Sequence, residues 1–194
     1  GDHAGSEWYK LKDNLGNEFD ARPFFPLTPY LLIGEVIHRI QEERAGKVVD
    51  FAREIIKLPD HSFIQMGDFS GYTIQQCAKK GLKKAYVAGF IGKLAKMAAG
   101  VKQTHVKGGK VDMKFLSELA KRCNADPETI RKILGANTAR NVQEIIMEDG
   151  VNGFFDEITK EVCNQMRQHS EEKIPVEVIL FDFDGKVLSR DKKE

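Results

Sequence analysis

Cysteine is scarce in this chain, and what there is does not pair off. Cys77, Cys123 and Cys163 are three in number and far apart, with no CxxC among them. That speaks against a disulfide framework or a zinc site and for a reducing compartment, the cytoplasm. Long hydrophobic runs are missing too: no stretch approaches the ~20 apolar residues that span a bilayer. Neither sign of charge dominates. With 30 basic and 29 acidic side chains the formal charge is +1, so there is no electrostatic footprint of a nucleic-acid or membrane partner. The opening Gly1-Asp2-His3-Ala4-Gly5-Ser6 has no initiator methionine and no basic-then-apolar signal pattern. It is the expected start of a chain trimmed or excised from something longer. No internal repeat or low-complexity tract is visible.

What is present is an ordinary globular composition, 41% apolar and 30% charged over 194 residues, enough for one good core or two small ones. The chain is organised around residues 62–105. Two short apolar runs, at 63–66 and 85–88, each end in a glycine-bearing turn and are each followed by a helical pattern. Such strand–turn–helix units build parallel sheets with ligands at the carboxyl ends of the strands. The expected fold class is α/β: a Rossmann-like parallel sheet flanked by helices, with a C-terminal β-hairpin.

Before the central unit, residues 8–13 and 18–20 read as a small hairpin around the turn signal Asn14-Leu15-Gly16-Asn17. Phe24 and Phe25 sit in a proline-punctuated loop, either packed on the body or forming a lip over a pocket or a partner contact. Thr28-Pro29 predicts a helix start, with Leu32, Ile33, Val36, Ile37 and Ile40 at helical spacing. His38 beside them reads as a structural residue. A solvated turn at 41–44 and Gly46 interrupt, and a second helix is expected over 47–57. After the central unit the pattern is helical: over 112–123, after Asp126-Pro127, after Asn137-Thr138, and from Phe154 to about residue 171. Residues 176–183 then predict a strand, Asp184-Gly185 a turn, and 187–188 the return strand, with 190–194 a frayed charged tail.

The first glycine turn, Gly67-Asp68-Phe69-Ser70-Gly71, is either a capped tight turn or a place where amides and Asp68 meet a cofactor's polar groups. The second, Gly89-Phe90-Ile91-Gly92-Lys93, is too short for a phosphate loop and lacks the hydroxyl after lysine. Its glycines would let a ligand approach the backbone, and Lys93 would pair with a carboxylate, unless that lysine is simply solvated. Thr104-His105 offers an acid–base or hydrogen-bonding histidine in a loop, or only a surface one. Phe181-Asp182-Phe183-Asp184-Gly185 matches the DxDG of haloacid-dehalogenase-like phosphatases superficially. It stands too close to the end of the chain to begin such a fold, so a hairpin turn is expected.

Several of these segments occur in an order that resembles the C-terminal half of the CbiD family. Residues 63–71 resemble its strand ending in (G/S)(N/D)F(x)G. Residues 87–100, VAGFIGKLAKMAAG, resemble its GHxGKLxKxAAG run, with Phe90 where the family often has a polar residue. Gln103-Thr104-His105 resembles its NTH, and Ala136-Asn137-Thr138-Ala139-Arg140 another late segment. The N-terminal GYTTGxCA-type segment has no counterpart. The division implied is an N-terminal segment, residues 1–45, and a CbiD-like α/β domain, residues 46–194. The resemblance implies methyl transfer from S-adenosylmethionine to ring carbon 1 of a cobalt-precorrin in cobalamin biosynthesis. His105 and Lys93 would be catalytic; Gly67, Asp68, Gly71, Gly89, Gly92 and Thr104 would bind the cofactor. Cobalt would arrive with the substrate, so no protein metal site is expected. The other reading is a non-catalytic ligand-binding or assembly module. Besides the cobalt-precorrin, the expected partners are further copies of this chain or a separate N-terminal half.

Overall fold

A computed structural model describes residues 10–12, 18–20, 30–35, 39–66, 69–101 and 111–193, with side chains from 46 to 192. In chain order these form β1 (Lys10–Lys12), β2 (Glu18–Asp20), β3 (Tyr30–Glu35), α1 (Arg39–Ile55) and β4 (Phe63–Met66). Then come α2 (Ser70–Lys79), β5 (Lys84–Phe90), α3 (Ile91–Ala98), α4 (Met113–Arg122), α5 (Pro127–Leu134), α6 (Ala139–Glu148) and α7 (Phe154–His169). β6 (Val176–Phe181) and β7 (Val187–Lys193) end the chain. β1 and β2 pair antiparallel as the hairpin that the turn signal predicts.

The other strands form one five-stranded sheet in the order β4-β3-β5-β6-β7. β4, β3, β5 and β6 run parallel, and β7 turns back antiparallel on β6. The class is therefore mixed α/β with a partly parallel sheet. Side chains alternate along each strand. Tyr86, Ala88, Phe90, Ile179 and Phe181 meet Val48 and Ala52 of α1, and Ile56 just after it, on one face. Ala85, Val87, Val176, Val178 and Leu180 meet α2, α3 and α7 on the other, with α4–α6 adding Leu116, Ile133, Val142 and Ile146 to that core.

The later helices start where their caps predict. Asp112 accepts from the amides of Lys114 and Phe115, Asp126 from those of Glu128 and Thr129, and Thr138 from that of Asn141.

Four expectations are corrected. The helix read after Thr28-Pro29 is strand β3 over Tyr30–Glu35, paired with β4 and β5. A parallel strand covered on both faces is a continuous apolar run, and over so few residues that pattern does not separate strand from helix. The interruption at 41–46 is absent, since α1 runs through Gly46; one glycine costs a helix only ~1 kcal/mol. The turn at 89–92 does not exist: Gly89 and Phe90 pair with Leu180 and Phe181, and α3 starts at Ile91. Residues 190–193 are not frayed but paired in β7.

Candidate ligand site at the carboxyl edge of the sheet

From β3 the chain crosses to β4 on one side and then returns to β5 on the other. In open α/β sheets ligands bind outside the carboxyl ends of the strands where the order reverses in this way. The register sets Glu35 beside Met66 and Phe90 beside Phe181, so these strand ends share one edge. α2 and α3 begin there.

α2 opens with Phe69 at its cap (φ −102°, ψ 40°), with no side-chain cap bond and no acid in the first turn. The hydroxyl of Thr73 donates to the Phe69 carbonyl at 2.9 Å. Ser70 and Gly71 are buried, whereas Phe69 and Tyr72 are 53% and 51% exposed. The Ser70 hydroxyl is fully buried without a hydrogen-bond partner.

α3 follows β5 with no loop. Phe90 is its cap residue, again without a side-chain bond, and its first turn also lacks an acid. Gly92 has a negative φ, and a Cβ there would meet nothing within 4 Å; neither backbone strain nor packing demands glycine. Lys93 is buried, 2% exposed. Phe90 stacks on Phe183 at 4.8 Å with 29° between the rings, and the Arg140 guanidinium lies 4.8 Å over the same Phe183 ring. A cation and two aromatics thus form a column beside the ends of β5 and β6.

The turn after β6 is structural. The Asp182 carboxylate accepts from the amides of Asp184 at 3.0 Å and Lys186 at 2.8 Å. Those bonds tie Asp182 into the turn between two antiparallel strands, so the hairpin reading holds.

A second charged cluster lies at the opposite edge, where β5 and β6 begin. Glu177 is paired with both Lys84 and Arg190, and the Lys84 ammonium lies 4.4 Å over the Tyr86 ring. Burial pushes the Glu177 carboxyl up, but hydrogen bonds and charge from Lys84 and Arg190 outweigh it and hold its pKa below the ordinary glutamate value. On the far side of the helical layer, Lys132 and the Thr129 hydroxyl hold Asp149 ionised, its pKa lowered mainly by the Lys132 bond. Neither cluster touches the carboxyl edge. Among the described residues no group of three His, Cys, Asp or Glu side chains is placed to hold a metal ion, and no helix is long and apolar enough to cross a membrane.

Of the residues singled out from sequence, Lys93, Gly71, Gly89 and Gly92 lie on the described part of this edge. Gly67, Asp68, Thr104 and His105 lie outside the described residues, as do Phe24, Phe25 and His38. Sequence reasoning missed Ser70, Arg140 and Phe183 as site residues. Arg140 falls within one of the family-like segments; Phe183 carries only the signal of a turn.

Residues 103–192 match the family model described as CbiD, C-terminal domain. Over this region the chain is similar to that family, in line with the resemblance read in the sequence. The cobalt-precorrin-5B C(1)-methyltransferase of Priestia megaterium is 35% identical over 138 residues, 71% of this chain and 38% of that protein. Its namesake from Thermus thermophilus is 37% identical over 146 residues, 74% of this chain and 40% of that one. The one from Leptospira interrogans is 36% identical, with 75% and 40% covered. The chain thus spans about two-fifths of the length of these curated relatives. No solved structure matches.

Proposed function

We propose that this chain is the cofactor-binding half of a CbiD-like methyltransferase, moving a methyl group from S-adenosylmethionine to ring carbon 1 of a cobalt-precorrin in the cytoplasm. The observation that carries this reading is the carboxyl edge. Two helices begin there, α2 after β4 and α3 after β5 on either side of β3, and neither cap residue gives a side-chain bond nor does either first turn hold an acid, on a chain similar to methyltransferases over most of its length. In this reading the parallel strands act as a Rossmann-like cradle. Residues 46–194 are the CbiD-like unit, and the segment 1–45 lends it β3.

S-adenosylmethionine carries an activated sulfonium methyl, a carboxylate and a flat adenine, and the edge suits such a group. Open helix amides favour negative charge, and the space over Gly92 lets a ligand come close to the backbone. Gly67, Asp68, Gly71, Gly89, Gly92 and Thr104 would hold the donor. Lys93 and His105 would anchor the carboxylate-rich substrate and manage its protons. With the methyl already activated, alignment of donor and ring carbon supplies much of the rate. Cobalt enters with the substrate.

A second reading rests on the chain spanning about two-fifths of its relatives: a binding module completed by a separate N-terminal half or by further copies of itself. Thermal unfolding with S-adenosylmethionine and S-adenosylhomocysteine separates the two. A ligand at about a hundred times its dissociation constant adds ~2.7 kcal/mol, a rise in Tm of roughly 5–10 °C at this size. That rise with both compounds, and none with NAD or ATP, is expected of a self-contained donor site. No rise on a cooperatively folding chain would favour the incomplete module.

A further inference from the structure

We propose that the N-terminus of α2 is the seat of a ligand carboxylate, received by the Ser70 hydroxyl and the first amides of the helix. Phe69 and Tyr72 then line the flat body that carries it. This rests on the reading of the carboxyl edge given above and extends it to residues that the resemblance does not assign.

Three observations meet at one point. The first amides of a helix have no intrahelical acceptor. At α4, α5 and α6 the side-chain oxygen of the cap residue supplies one, but at α2 the cap residue is Phe69, and among the described residues no side chain is seen to do so. Second, the Ser70 hydroxyl is completely buried with no partner, a costly state for a polar group. Cα–Cβ bonds in a helix tilt toward its N-terminus, so this hydroxyl, on the first helical residue, leans to the same end as the open amides. Third, Phe69 and Tyr72 flank it half-exposed. The other orphan serine hydroxyl, Ser62, sits in a single 3-10 turn at the amino end of β4, away from the carboxyl edge.

The missing acceptor is negative because helix N-termini favour anions. It is singly charged because the first turn, Ser70-Gly71-Tyr72-Thr73, brings no lysine or arginine of the kind that usually meets a phosphate dianion. A carboxylate fits. It can come from the amino-acid end of the methyl donor or from a side chain of the corrinoid.

Isothermal titration calorimetry in two arms tests this. One arm compares S-adenosylhomocysteine with 5′-methylthioadenosine, which lacks the amino-acid end. The other compares cobyrinic acid with its fully amidated form. In the arm that supplies the group, the native chain is expected to prefer the carboxylate compound. Ser70→Ala should weaken that compound about tenfold, the scale of a charge-assisted hydrogen bond, and leave the neutral compound within about twofold. Its Tm should stay level or rise, because an unpartnered hydroxyl is removed. Phe69→Asp places an internal carboxylate at the cap and should abolish the preference while raising Tm. A preference untouched by Ser70→Ala overturns the proposal and leaves the methyltransferase reading standing. Ser70→Ala that lowers Tm and weakens both compounds equally shows a structural serine and also overturns it. No binding by the native chain in either arm overturns the proposal and the function reading together.

Discussion

Gly185 shows at single-residue scale how the β6–β7 turn is held. Its φ is +92°, and a Cβ there would stand 2.6 Å from the Phe51 ring of α1. That ring packs 5.7 Å from Phe181, so it has little room to retreat. Gly185→Ala therefore combines backbone strain with a clash and should cost about 2 kcal/mol. Urea unfolding reads this directly, and a loss under about 0.5 kcal/mol would mean the ring gives way. The Arg140–Phe183–Phe90 column belongs to the same scale. Its members come from α6, the β6–β7 turn and the end of β5. Stacking among residues so distant along the chain leaves no periodic trace, and for that reason Phe183 is legible as a turn residue and not as a wall of the site. Ser70 is hidden differently: between glycines it looks like turn filler, and only its burial shows that its hydroxyl is unanswered.

Among the elements, helices with an apolar stripe and an Asp or Thr at the cap are legible in detail, because α4, α5 and α6 agree with their local signals at every point. β3 is not. Its run of leucines and isoleucine satisfies a buried strand and a buried helix equally, and the decision is made by β4 and β5, which supply ladders on both sides. α1 shows the opposite error. The glycine that looks like a break lies inside the helix, and a methyl group added there would meet nothing within 4 Å. Gly46→Ala should accordingly stabilise the protein by about 0.5–1 kcal/mol through helix propensity and a less flexible unfolded chain. A lowered denaturation midpoint would instead show that Gly46 is needed for something other than the helix.

At the scale of the whole molecule, three strands are tied near the edge where β5 and β6 begin by Glu177 of β6, gripped by Lys84 of β5 and Arg190 of β7. Its pKa is held below the ordinary glutamate value of 4.5. A depressed carboxyl contributes its full stabilisation above the unfolded value and loses it as pH falls through the folded one. The native chain should thus exceed Glu177→Gln in Tm at pH 7, and the gap should close below about pH 4.5 as the carboxyl is protonated. A gap unchanged down to about pH 3 would remove the ion cluster from the account. The α/β class is visible from the sequence because repeated strand–helix units leave few alternatives. The site is visible only in outline, since the sequence marks the edge but not which side chains fold onto it.

The joint between β5 and α3 has a mechanical consequence. With no residue between them, strand and helix form a single lever, and the edge lacks a hinge on that side. One residue inserted after Phe90 would rotate α3 by about 100° and swing the buried Leu94 and Ala95 out of the core. Any change in chain length near this edge must therefore be absorbed elsewhere, and the α3 wall stays fixed to the sheet whatever ligand approaches it.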